Sequence, residues 1–179
     1  YGYQPCYCNE KTKKMKLKKR SRKSHKGDNG RVLVIGGSID YAGAVYLAGM
    51  AAFRAGVDNV TIVAPEKVAW VVNCLSPDFI TVKVKGDYFT TSSVNKIVEL
   101  SKKFDVVVIG NGIGVRKETK KFAAAVAKKI KAFKVIDADA IKSVKLQDVS
   151  NSIITPHEKE FEILLKNSGC TEKNVKSKI

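Results

Sequence analysis

"DVVVIGNGIG", residues 105–114, holds an uninterrupted apolar run, 106–109, that empties into Gly110, Gly112 and Gly114. A strand buried on both faces shows no polar alternation, and glycines at its end let the backbone turn sharply or approach a ligand closely. The stretch therefore reads as an inner strand of a parallel sheet with a loop at its carboxyl end. Working outward, "RVLVIGG" (31–37) repeats the pattern and is followed by "YAGAVYLAGMAAFRAG" (41–56), helical in length and closed by Gly56. The alternation continues through the strand "NVTIVAP", the helix "EKVAWVVNCLS", the strand "FITVKV" and the helix "TSSVNKIVELSKKF", for which Thr91 or Ser92 is the expected cap. After the glycine loop come the helix "RKETKKFAAAVAKKIKAF" with Phe122, Val126 and Ile130 on one stripe, then the strand "KVIDADA", a short helix, and "SIITP" leading into "HEKEFEILLK". Strands each followed by a helix predict an α/β domain, a mostly parallel sheet with helices on both faces.

The 179 residues fit one domain, and no apolar run approaches the roughly 20 residues of a spanning helix, so a soluble, cytoplasmic protein with no membrane partner is expected. Cys6, Cys8, Cys74 and Cys170 are scattered without a second pair at metal-site spacing, which favours reduced thiols over zinc. Of the net charge of +16, residues 1–26 carry +9, from ten Lys or Arg and one Glu. That basic stretch lacks interleaved aromatics, so residues 1–24 read as a linker or tail rather than a nucleic-acid arm.

In open parallel sheets ligands bind beyond the carboxyl ends of the strands, so the strand exits carry the functional reading. "GNGIG" would admit an anion or a flat ligand, but it holds only two glycines of a G-x-G-x-x-G fingerprint. With Asp137 at the end of the next strand, it leaves a Rossmann-like NAD(P)-dependent oxidoreductase as an alternative. Asp137 and Asp139 in "DADA" are candidates to polarise a ligand or hold a metal, and one of them equally fits as the cap of the short helix that follows. "GGSIDYAGA" (36–44) couples a glycine turn to a helix of small residues, Ala44 among them, which suits close packing or a close ligand. Thr155-Pro156-His157-Glu158 has the spacing of a capping box, with Pro156 at the first helical position and His157 second, facing the crevice.

In order, "HKGDNGRVLVIGGSIDYAGA" (25–44), "AAFRAGVDNVTIVAPE" (51–66), "SPDF" (76–79), "VVVIGNGIG" (106–114), "VIDADAI" (135–141) and "ITPHEKEF" (154–161) resemble the NAD(P)H-hydrate dehydratase family of the ribokinase-like superfamily. The resemblance implies repair of NADHX or NADPHX, NADH or NADPH hydrated on the nicotinamide ring. ADP or ATP, with Mg2+, would phosphorylate the ring hydroxyl, and loss of phosphate would restore the reduced cofactor. Carried onto this sequence, Ala44, Gly112, Gly114, Asp137, Asp139 and His157 become the substrate-binding positions, although Asn111 stands where the family usually has proline and Ile141 where it has leucine.

The family continues past the histidine helix to a G-x-G-D turn whose glycines hold the nucleotide phosphates and whose aspartate is the base. No G-x-G-D occurs in residues 1–179, so no catalytic residue is assigned, and residues 25–179 read as a partial ribokinase-like domain truncated at the C-terminus. The resemblance also implies a fused or associated NAD(P)H-hydrate epimerase, and a homo-oligomer is expected. A non-catalytic binding fragment or scaffold is the remaining alternative.

Overall fold

The computed structural model describes residues 20–170. Its sheet has six parallel strands: β1 (Arg31–Ile35), β2 (Asn59–Pro65), β3 (Ile80–Val84), β4 (Val106–Ile109), β5 (Phe133–Ile136) and β6 (Ser152–Ile154), in the order β3-β2-β1-β4-β5-β6. Among the described residues four α-helices connect the first five strands, α1 (Ala42–Arg54), α2 (Glu66–Leu75), α3 (Val94–Ser101) and α4 (Lys117–Lys129); 3-10 turns lead from β5 to β6, and α5 (Glu158–Ser168) follows β6. The α/β class expected from the strand and helix alternation is the class observed.

Right-handed crossovers decide which face each helix covers. From β1 the chain moves outward to β2 and β3, placing α1 and α2 on one face over Val32, Val34, Val60, Ile62 and Ala64. It then returns to β4 and proceeds to β5, placing α3 and α4 on the opposite face over Leu33, Ile35, Val107, Ile109 and Ile136. The Phe122, Val126 and Ile130 stripe is fully buried there, with Phe122 stacked on Phe89 at 4.6 Å between ring centroids. On the α1/α2 face the sheet is open under its last strands: register places Val135 beside Ile153, and Phe133 and Ile153 remain 38% and 52% exposed.

Three local expectations are corrected. The stretch expected to be helical through Phe133 ends at Lys129, and Phe133 opens β5. The reason is Lys134, which register turns to the buried face, where its ammonium donates to the carbonyls of Ile130 (3.0 Å) and Ser150 (2.9 Å). It thereby ties the end of α4 to the β5–β6 connection. Neither Thr91 nor Ser92 caps α3: residues Thr91–Ser93 form a 3-10 turn and the Ser92 hydroxyl pairs with that of Thr90 at 2.8 Å. The α5 box is displaced, as described below.

Burial lowers the Lys134 pKa from the ordinary 10.5, with Lys131 adding to the shift. Between the folded and unfolded values the unfolded chain binds more protons, so this group makes stability rise with pH through that window. Lys134→Met is expected to remove that rise, measured as the wild-type minus variant difference in urea midpoint from pH 8 to pH 10.5.

The C-x-C pair and most of the basic stretch lie outside the described residues. From Arg20 onward the chain is docked on Asp58, whose Oδ2 accepts from the Gly27 and Asn29 backbone N–H groups and from Asn29 Nδ2, each at 3.0 Å. Backbone hydrogen bonding from Asn29 is the largest cause lowering the Asp58 pKa. Cys74 and Cys170 are free thiols, and no described helix is long and apolar enough to cross a membrane.

Candidate functional site

The strand order reverses between β1 and β4, because the chain leaves β1 toward β2 and leaves β4 toward β5. Loops departing in opposite directions open a crevice at their carboxyl ends. The Gly36–Ser38 and Gly110–Gly114 loops meet there: Gly37 N–H donates to the Asn111 carbonyl at 2.8 Å, and Gly110 N–H donates to Ile35 O at 3.1 Å. Gly112 has φ +69° and sits so close to α1 that a Cβ would lie 2.7 Å from Tyr41 O and 2.9 Å from Ala44 Cβ. The small residue at Ala44 and the glycine at 112 therefore serve one contact, and the structure brings these two expected site residues together.

The aspartates are brought in by the same exits. Asp137 leaves β5 with its N–H on Ile109 O at 3.0 Å. Its carboxylate accepts from Asn111 Nδ2 at 2.8 Å and from the Thr155 hydroxyl at 2.7 Å, joining the exits of β4, β5 and β6. Asn111 is thus a hydrogen-bond partner of Asp137. Asp139 lies in the 3-10 turn Ala138–Ser143, accepting from Gly114 N–H at 3.1 Å and from Lys142 Nζ at 2.7 Å. The hydrogen bond to Asp139 is the main cause raising the Lys142 pKa. Neither aspartate caps that turn with its side chain.

His157 is the N-cap of α5, not its second residue, and the partner three positions on is Glu160, whose Oε2 accepts from His157 N–H at 3.3 Å. The box is two residues later than the spacing suggested because Thr155 is still paired to the sheet, through its N–H on Ile136 O at 3.3 Å, and spends its hydroxyl on Asp137. The imidazole is 62% exposed at the crevice rim, with Nε2 at 3.3 Å from Glu160 Oε1. Glu160 and Lys142 are thus site neighbours that the sequence reading missed. The signal available for them was helical spacing: 157 to 160 and 139 to 142 are both i,i+3.

Two further features shape the crevice. Ser38 is fully buried and its Oγ has no hydrogen-bond partner among the described residues, nor has the buried Oδ1 of Asn111. Across the rim, Tyr88 OH donates to Asp40 Oδ2 at 2.9 Å and accepts from Arg116 Nη2 at 2.8 Å, strapping together loops that follow β1, β3 and β4. Burial first, then the bond to Asp40, raises the Tyr88 pKa. The glycine loop is less free to cradle an anion than its composition suggested, since Ile113 and Gly114 N–H groups are already engaged by Gly110 O and Asp139.

Comparison with known proteins places this geometry. The family model described as NAD(P)H-hydrate dehydratase matches residues 32–178. The chain belongs to that family. Among dehydratase-family relatives, the bifunctional NAD(P)H-hydrate repair enzyme of Methanocaldococcus jannaschii is 45% identical over 166 residues, covering 91% of this chain and 33% of that protein. The repair enzyme of Pyrobaculum aerophilum is 42% identical over 144 residues, 79% of this chain and 29% of that one. The chain spans about a third of the length of these relatives. The Bacillus subtilis ADP/ATP-dependent NAD(P)H-hydrate dehydratase, crystallised with ATP and Mg2+, superposes with a TM-score of 0.65 at 23% identity, covering 90% of this chain and 55% of that structure, a likeness of fold.

Membership disfavours the oxidoreductase alternative, and so does the topology. A dinucleotide-binding fingerprint belongs to the turn after β1, whereas here the G-x-G-x-G run follows β4.

Proposed function

We propose that the crevice at the β1/β4 switch binds the hydrated nicotinamide of NADHX or NADPHX, and that residues 25–179 form the substrate-side part of a nucleotide-dependent dehydratase. The observation that carries this reading is the convergence of Ala44, Gly112, Gly114, Asp137, Asp139 and His157 on one set of strand exits. The crevice offers a flat ring what it needs. Gly112 and Ala44 form a wall of minimal bulk, the carboxylates accept from carboxamide and hydroxyl groups, and an exposed imidazole stands at the rim.

The overall conversion consumes ADP or ATP. The terminal phosphoryl group passes to the ring hydroxyl, the ring C–O bond then breaks with departure of inorganic phosphate, and the neighbouring ring carbon loses a proton. Holding the ring so that its hydroxyl faces the nucleotide is the contribution of this chain's residues. Asp137 and Asp139 do not form a protein-held Mg2+ site, because the Lys142 ammonium already lies on Asp139 and among the described residues no three His, Cys, Asp or Glu group together; each carboxylate oxygen accepts one hydrogen bond, from Asn111, Thr155, Gly114 or Lys142, and keeps a lone pair for a ligand donor. A magnesium ion would arrive on the nucleotide's own phosphates. The names of the bifunctional relatives support an epimerase as the fused or associated partner.

The test is equilibrium binding of NADHX and NADPHX against NADH and NADPH to the 179-residue chain. The hydrates are expected to bind at least about tenfold more tightly, the value of one satisfied hydrogen bond to a buried polar group. Equal or tighter binding of the unhydrated cofactors would overturn the reading in favour of a redox site.

A further inference from the structure

Ser38 leaves β1 on a backbone that is fixed from both sides. Its carbonyl accepts from Tyr41 N–H at 2.9 Å, and the next N–H, that of Ile39, donates to Asp87 O at 3.2 Å. The side chain contributes no such bond: the residue is 0% exposed, and Oγ has no hydrogen-bond partner among the described residues. A buried hydroxyl in that state has given up water and received nothing in exchange, so its presence calls for an explanation.

The glycine loop supplies one. Gly112 has no room for a side chain because α1 packs against it, whereas Gly114 has room that the fold leaves unfilled. Apart from its own chain neighbours, the only atom of the described residues within 4 Å of where a Gly114 Cβ would stand is Ser38 Oγ, at 4.0 Å. Gly114 N–H is engaged by Asp139, so the glycine itself offers no donor to that gap. What stands at its edge is the unpaired serine hydroxyl, between the exits of β1 and β4 where the crevice opens.

We propose that Ser38 is the residue that selects the hydrated ring: with the ring seated over Gly114, the Ser38 hydroxyl bonds to the ring hydroxyl that NADHX and NADPHX carry and that NADH and NADPH lack. This rests on the function proposed above. A site that must hydrogen-bond a ligand hydroxyl rejects the analogue without it, because the protein's own polar group is then left buried and unpaired. Ser38 Oγ is in that unpaired state in the ligand-free chain. It is covered there, so contact takes a rotation about χ1, which moves one heavy atom and no backbone. As the acceptor, Ser38 takes the ring O–H and leaves the lone pairs of the ring oxygen free toward the incoming phosphoryl group.

Ser38→Ala tests this by removing that one atom. In the ligand-free chain its urea midpoint is expected at or above the wild-type value, because the hydroxyl has no bond to lose. NADHX affinity is expected to fall about tenfold while NADH affinity changes less than about twofold, so that the preference for the hydrate disappears. A midpoint below wild type would mean that the hydroxyl has a partner in the fold. Unchanged NADHX affinity, or equal losses for NADHX and NADH, would mean that it does not meet the ring hydroxyl. Either result overturns the proposal while leaving the function reading in place. Wild-type protein that binds NADH as tightly as NADHX overturns the function reading, and the role of Ser38 with it.

Discussion

Gly110→Ala is expected to abolish cooperative folding. Gly110 sits at φ +125°, a region essentially closed to residues with a side chain, and a Cβ there would fall inside the Asp137 carbonyl oxygen and 2.7 Å from the Ala140 Cβ. The first effect alone costs about 1–3 kcal/mol. The second cannot be relieved by rotating a side chain, because the obstacle is backbone held in the sheet: Asp137 N–H is on Ile109 O, and Gly110 N–H is on Ile35 O. Together they exceed about 4 kcal/mol, a large share of the stability of a domain this size. Urea unfolding should show no native baseline or a midpoint displaced by at least half. An unfolding free energy within about 0.5 kcal/mol of wild type would mean that the β4 and β5 exits are not packed as described.

Asp137→Ala is the second large effect, and it acts on stability and site together. The carboxylate accepts from Asn111 Nδ2 and the Thr155 hydroxyl, and the buried Oδ1 of Asn111 already has no partner among the described residues. Removing it strands the Asn111 amide with neither end satisfied and releases Thr155, which water can serve because it is exposed. Two bonds to a charged acceptor at about 1.5–3 kcal/mol each, discounted for the exposed partner, give a loss of roughly 2–4 kcal/mol. Asp137→Asn keeps the shape and one acceptor and is expected to lose about half as much. Denaturant unfolding of the two variants tests this, and hydrate affinity should fall with the same ranking. Wild-type stability in Asp137→Ala would show that the three exits are held together by something else.

Much of the fold was legible because burial on both faces leaves an unmistakable trace. β1, β2 and β4 are runs of Val, Ile and Leu with little polar interruption, and α4 announces itself through Phe122, Val126 and Ile130. Local boundaries were less legible where tertiary partners decide them. Lys134 reads as the first residue of a strand that directly follows a helix running through Phe133, yet register turns it inward, where it finds two carbonyls and α4 ends four residues before Phe133.

The site followed the same division. That Gly112, Asp137, Asp139 and His157 stand at strand exits followed from the strand pattern, and that they belong to one site was an expectation from the family resemblance. How they are connected did not follow. Thr155-x-x-Glu158 and His157-x-x-Glu160 satisfy cap spacing equally well, and only the pairing of Thr155 with Ile136 selects the second. Asn111 looked like a neutral replacement in a glycine loop, whereas its amide reaches 26 residues ahead to Asp137. Contacts of that range are set by strand order, which no short window of sequence displays.

The most direct measurement is amide hydrogen exchange of the 179-residue chain with and without saturating NADHX. Slowed exchange concentrated in residues 36–44, 110–114, 137–142 and 155–160, with the opposite end of the sheet unchanged, is the result expected if the β1/β4 crevice holds the hydrated ring. Protection confined to other segments, or none under conditions where NADHX is shown to bind, would contradict it.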